Sequence, residues 1–98
     1  MHYVVITRTD HTPDAALGHY LANVGATMEP YQGRLLAFDA PARLEGETAY
    51  TKTAILEFPT EADARGWYDS PVYQALAAWR TATMGHPVTI AAVPGLPA

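Results

Sequence analysis

The chain of 98 residues contains no cysteine. That excludes disulfides, thiolate catalysis, cysteine-ligated zinc and iron–sulfur clusters together, and it removes any need for an oxidising compartment. Charge is scarce as well: Asp, Glu, Lys and Arg make up 16% of the chain, against about 25% in an average globular domain. The six Lys and Arg residues are scattered among ten Asp and Glu, and the formal net charge is −4. Nucleic-acid binding needs a basic stripe to neutralise phosphates, so that partner class is set aside. Long apolar runs are missing too. In the N-terminal MHYVVITRTD the run spans only Tyr3 to Ile6, too short for the apolar centre of a signal peptide or for a membrane span. The expectation is a cytoplasmic protein without membrane contact.

What is present is an apolar excess. Hydrophobic residues are 49% of the chain, yet a domain of this size buries only about 60–65% of its unfolded surface. An oligomer resolves that mismatch most simply. The chain reads as one domain, 1–98, with 94–98 as a tail. YVVITR at 3–8 is β-branched and aromatic and predicts a strand. Pro13 suits the first turn of a helix, and Leu17, Tyr20, Leu21, Val24, Met28 and Tyr31 recur at helical spacing. Pro30 and Gly33 end that helix. RLLAF at 34–38 predicts a second strand, and Ala42–Glu45 a short extra one. TKTAILEF at 51–58 is the third main strand, stopped by Pro59. Thr60 with Asp63 forms a capping box, opening a short helix with Ala64, Trp67 and Tyr68. Ser70 and Pro71 start a second helical piece that runs to Gly85. PVTIAAV at 87–93 is the last strand.

Strand, helix, strand, strand, helix, strand is the α+β, ferredoxin-like βαββαβ plan: a four-stranded antiparallel sheet with helices on one face. A one-sided sheet should alternate apolar and polar residues. YVVI, AIL and IAAV are instead continuous, so the second face is expected to be covered by another copy about a two-fold axis. The same topology gathers Arg8, His11, Asp39, Lys52, Arg80 and His86 at one pole. His2, Tyr31, Arg34, Glu57 and Trp67 gather at the other.

His86, in a Gly-His-Pro step after a helix, is a candidate general acid or base; its alternative is a surface loop histidine. His11 carries the same two readings. His19 falls opposite the apolar stripe and should face water. Arg80 is a candidate for binding a substrate carboxylate or enolate, or for complementing the helix C-terminus. Arg34 and Glu57 predict a cross-strand ion pair. In GWYDSPVYQALAAWR, Trp67 reads first as core, while Tyr68 and Tyr73 are candidates to donate a proton to a developing enolate. No histidine spacing supports a metal site, and no nicotinamide fingerprint, P-loop or flavin motif is present. No cofactor is expected.

YQGRLLA, LEGE, AILEFPTEADARGWYDSPVYQAL and the Arg of AAWR together resemble the domain of unknown function 1330 family, within the dimeric α/β-barrel superfamily. The resemblance covers nearly the whole chain. The family pattern has a glycine pair before Arg, where Gln32 here replaces the first glycine. Phe38-Asp39 stands where Arg-Gly is frequent, and TATMGHPVTI replaces a more polar segment; these two changes mark one end of the fold as a candidate specialised pocket. The resemblance implies a homodimer with a pocket between sheet and helices, and no particular reaction. Related families include cofactor-free monooxygenases, polyketide cyclases and lactone isomerases. The reading is thus a cofactor-independent enzyme acting on a hydrophobic small molecule by cyclisation, isomerisation or elimination. The alternatives are a cofactor-independent monooxygenase and a non-catalytic small-molecule-binding dimer. The candidate catalytic residues are His86, Tyr73, Arg80 and His11; the candidate substrate contacts are Tyr68, Phe38, Asp39 and Trp67.

Overall fold

In the computed structural model, which describes residues 1–11, 14–85 and 88–97, each expected main element forms. The order is β1 (His2–Arg8), α1 (Asp14–Met28), a 3-10 turn (Glu29–Tyr31), β2 (Arg34–Asp39), β3 (Lys52–Phe58), α2 (Glu61–Asp69), α3 (Pro71–Met84) and β4 (Val88–Pro94). The sheet order is β2-β3-β1-β4, and every neighbouring pair is antiparallel. This is the ferredoxin-like α+β fold. Pro13 lies outside the described residues.

Alternation along β1 explains the layers. Val4 and Ile6 point to the helices and are buried, opposite Leu56 and Ala54 of β3. Val24 and Met28 of α1, Ala64 and Trp67 of α2, and Tyr73, Leu76 and Ala77 of α3 complete one core with Phe58. Tyr3 and Val5 point the other way. They pair with Glu57 and Ile55 on β3 and with Val93 and Ala91 on β4. No helix covers this second face.

Capping chemistry sets the helix boundaries. The Thr60 hydroxyl accepts from the Asp63 amide at 3.1 Å and donates to its carboxylate at 2.9 Å. Ser70 serves two helices at once: its hydroxyl donates to the Trp67 carbonyl at 2.7 Å and accepts from the Tyr73 amide at 3.2 Å. That shared cap fixes the corner between α2 and α3, and so fixes where Trp67 and Tyr73 meet.

Two expectations are corrected. The extra strand at Ala42–Glu45 does not form; residues 40–50 are irregular. No strand edge pairs with this segment, Gly46 bends it at φ +103°, and the Arg43 guanidinium bonds the Glu47 carbonyl within the loop at 3.3 Å. Tyr31 is not on α1, which stops at Met28. Pro30 sits in the following 3-10 turn, and Gln32 closes it in the left-handed region at φ 57°. Gln32 thus occupies a backbone conformation that glycine adopts freely.

Candidate functional site

The end of β1, the end of β2 and the start of β3 converge at one pole of the sheet, where Arg8 faces Lys52 and Val88, and Asp39 faces Thr53. A cavity of about 30 Å³ opens there between the sheet, α1 and α3. That is room for a water or two. Its walls are mostly apolar. Phe38 and Leu35 stand on one side, and Leu21 and Met84 on the other. Three of the six basic residues of this acidic chain, Arg8, Lys52 and Arg80, line it almost wholly through their apolar atoms.

Arg80 is the distinctive member. It is buried, and its Nη1 donates to the Tyr73 hydroxyl at 2.9 Å. The Tyr73 oxygen lies 2.9 Å from that of Tyr20, and either phenol can be the donor. The three side chains form one chain from α3 to α1, buried at Arg80 and Tyr73 and partly buried at Tyr20. Burial, with the Tyr73 phenol alongside, pushes the Tyr20 hydroxyl above its usual range, and Arg80 offsets only part of this. Tyr20 is therefore a neutral phenol at physiological pH, a donor and acceptor rather than a base. Arg80 Nε is buried with no hydrogen-bond partner, and no carboxylate among the described residues pairs with the guanidinium. A buried unpaired donor costs about 1–3 kcal/mol, so this group needs a reason to be there.

The other two cations are compensated. Arg8 pairs with Asp10 at 3.1 Å, and Lys52 with Asp39 at 3.7 Å. Thr51 ties the pole together: its amide donates to the Arg8 carbonyl at 2.8 Å, and its hydroxyl donates to the Asp10 carbonyl.

The structure brings Arg80 and Phe38 to this cavity; Tyr73 reaches it only through its bond to Arg80, being wholly buried with its ring 4.2 Å from that of Trp67, and other candidates lie elsewhere. Trp67 is wholly buried in the core, where its indole N–H donates to Thr27 at 2.9 Å. Tyr68 is exposed and stands with Trp67 at a separate groove of about 230 Å³ between α2 and β4, beside Ile90 and Ala92. Asp39 projects into solvent, 86% exposed at its side chain, and touches the site only through Lys52. His11 is exposed and does not line the cavity. His86 lies outside the described residues. At the opposite pole, Arg34 and Glu57 form the expected cross-strand pair at 2.8 Å. His19 faces water, as its wheel position implies, against the Trp79 ring at a centroid distance of 4.2 Å. Sequence reasoning assigned Tyr20 to the apolar stripe of α1 and missed its hydroxyl. The available signal was that a buried Tyr hydroxyl normally needs a partner.

Solved proteins share this architecture. A protein of unknown function from Rhodopseudomonas palustris aligns over 99% of this chain and 84% of its own, at 17% identity and a TM-score of 0.71. A dimeric ferredoxin-like protein of unknown function from Jannaschia sp. CCS1 aligns over 96% and 98%, at 13% identity and a TM-score of 0.68. SnoaB, a cofactor-independent oxygenase from Streptomyces nogalater, aligns over 99% and 94%, at 13% identity and a TM-score of 0.63. Identities this low establish the ferredoxin-like fold alone. No curated protein matches the sequence. The model of the domain of unknown function family DUF1330 matches residues 2–95, and the chain belongs to that family.

Proposed function

We propose that the chain is a cofactor-independent enzyme that acts on a hydrophobic small molecule by acid/base chemistry at the Arg80 cavity. The observation that carries this reading is the Arg80–Tyr73–Tyr20 chain beside an apolar cavity. A guanidinium held by a phenol beside an apolar cavity is suited to a developing oxyanion. A base removes the proton α to a carbonyl, the electron pair moves onto the oxygen, and Arg80, held in place by Tyr73, stabilises it. Return of the proton to another carbon completes an isomerisation; attack of the carbanion on a second carbonyl completes a cyclisation. We assign the base to His86, on its place in the chain between α3 and β4.

Solvent-deuterium incorporation into an aryl ketone such as phenylacetone, followed by proton NMR, tests this. The wild-type protein is expected to accelerate exchange, and Arg80→Gln to slow it by about 100-fold, the usual effect of losing one oxyanion donor. Exchange no faster with protein than without it contradicts the reading and leaves a non-catalytic binding domain.

The likeness to SnoaB favours one variant of the same chemistry. In it the Arg80-held carbanion reduces molecular oxygen: a CH₂ becomes a carbonyl, with one oxygen atom entering the substrate and the other leaving as water. Oxygen uptake matched to substrate loss distinguishes this from isomerisation.

We also propose that the working form is a homodimer closed over the uncovered sheet face. Tyr3, Val5, Ile55 and Val93 make that face apolar, and Val93 is 49% exposed. The Jannaschia protein of the same fold is dimeric.

A further inference from the structure

We infer that the groove between α2 and β4 is a second binding site, for a small aromatic molecule that carries an acidic group. It is independent of the Arg80 cavity, with which it shares no lining residue. Two small side chains create the space. Ala92 pairs with Val4, so it turns to the helices in line with Ile90. It and Ala64 of α2 reach only a methyl group into the gap between strand and helix. A larger residue at 92 would fill the groove and hide apolar surface. Ala92 instead stands exposed beside a half-buried Ile90. The groove has room of about 230 Å³. A dry protein cavity of about 150 Å³ takes benzene, so this one accepts a single ring with a substituent.

The walls choose the ring. Trp67 and Tyr68 stand edge to face at the groove, with ring centroids 6.3 Å apart and planes at 65°. Tyr68 is 38% exposed, so its ring is open to a further partner. A third ring extends this edge-to-face arrangement, and a saturated ring of the same size does not. The rim chooses the acidic group. Unlike the Arg80 cavity, this groove presents polar and apolar atoms in nearly equal measure. Arg65 lines it three residues before Tyr68, on the same side of α2. It is exposed and makes no ion pair or hydrogen bond among the described residues. The Tyr68 hydroxyl has no hydrogen bond among them either. Both side chains donate, which matches an acidic substituent and not a cationic one.

Backbone amide NMR titrations with benzoate, benzamide and cyclohexanecarboxylate test this without requiring turnover. Arg65 and Ala92 are exposed, so Arg65→Gln and Ala92→Leu are expected to fold. Benzoate should shift Ala64, Arg65, Tyr68 and Ile90. It should bind about threefold more tightly than benzamide, the scale of one exposed ion pair. It should also bind about threefold more tightly than cyclohexanecarboxylate, the scale of one aromatic contact. Ala92→Leu should remove binding, and Arg65→Gln should make acid and amide equal. Shifts centred on Tyr20 and Arg80, or binding that survives Ala92→Leu, overturn the inference. Equal binding of the aromatic and saturated acids overturns it too, as does an acid preference unchanged in Arg65→Gln. Benzoate binding here by a protein that fails the deuterium test upholds this site and removes only the catalytic reading at Arg80. Deuterium exchange without benzoate binding in the groove does the reverse.

Discussion

Burial desolvates the Arg80 guanidinium and leaves its Nε unpaired, and each of these costs stability. Replacing a buried charge by an apolar residue of similar volume is often neutral or stabilising. Arg80→Met is therefore expected to keep or raise stability by up to about 2 kcal/mol in urea unfolding while losing the activity proposed for the cavity. A clear loss of stability shows instead that Arg80 holds the fold. Tyr20 makes a second residue-level prediction. Its folded-state pKa lies above its unfolded value because burial and Tyr73 disfavour the phenolate. The folded chain thus holds that proton to higher pH than the unfolded chain, so the stabilising contribution is complete below about pH 10 and falls as pH rises beyond it. The urea midpoint should drop more steeply between pH 9 and 11 in the wild type than in Tyr20→Phe. The sequence placed Arg80 at the right pole, because strand directions alone decide which ends converge. It did not reveal the link to Tyr20, because a partner 53 positions away in the chain depends on how α1 docks against α3.

At the scale of elements, strands and caps were legible to within about a residue, since alternation, Pro59 and the Thr60 and Ser70 caps are local signals. The loop at 40–50 was not. A β-like segment such as Ala42–Glu45 becomes a strand only where an edge receives it, and none does. The end of α1 was half legible: Pro30 announced a break, but the register of the 3-10 turn depends on Tyr31 packing over Gly66. A Cβ added at Gly66 would lie 2.8 Å from that ring. Gln32 completes the turn at φ 57°. A non-glycine residue there costs about 1–2 kcal/mol, of which glycine's greater unfolded entropy takes back about 0.4–1. Gln32→Gly should raise stability by about 0.5–1 kcal/mol in thermal or urea unfolding; no change shows that the turn absorbs the side chain without strain.

At the scale of the molecule, the apolar runs of β1, β3 and β4 foretold a sheet with two dry faces, and the fold covers only one. Tyr3, Val5, Ile55, Ala91 and Val93 share the other. Ile55→Glu puts an unpaired charge at its centre and should shift sedimentation equilibrium from dimer to monomer with little change in far-UV circular dichroism. A dimer that persists moves the interface elsewhere. Nothing in the sequence gave the size of the cavity, which is set by how close α1 and α3 lie to the sheet.

Native mass spectrometry of freshly purified protein joins these scales. The account predicts two chains carrying a small hydrophobic molecule, and an Arg80→Gln protein that remains a dimer and loses that molecule. A monomer, or an Arg80→Gln dimer that keeps the ligand, contradicts it.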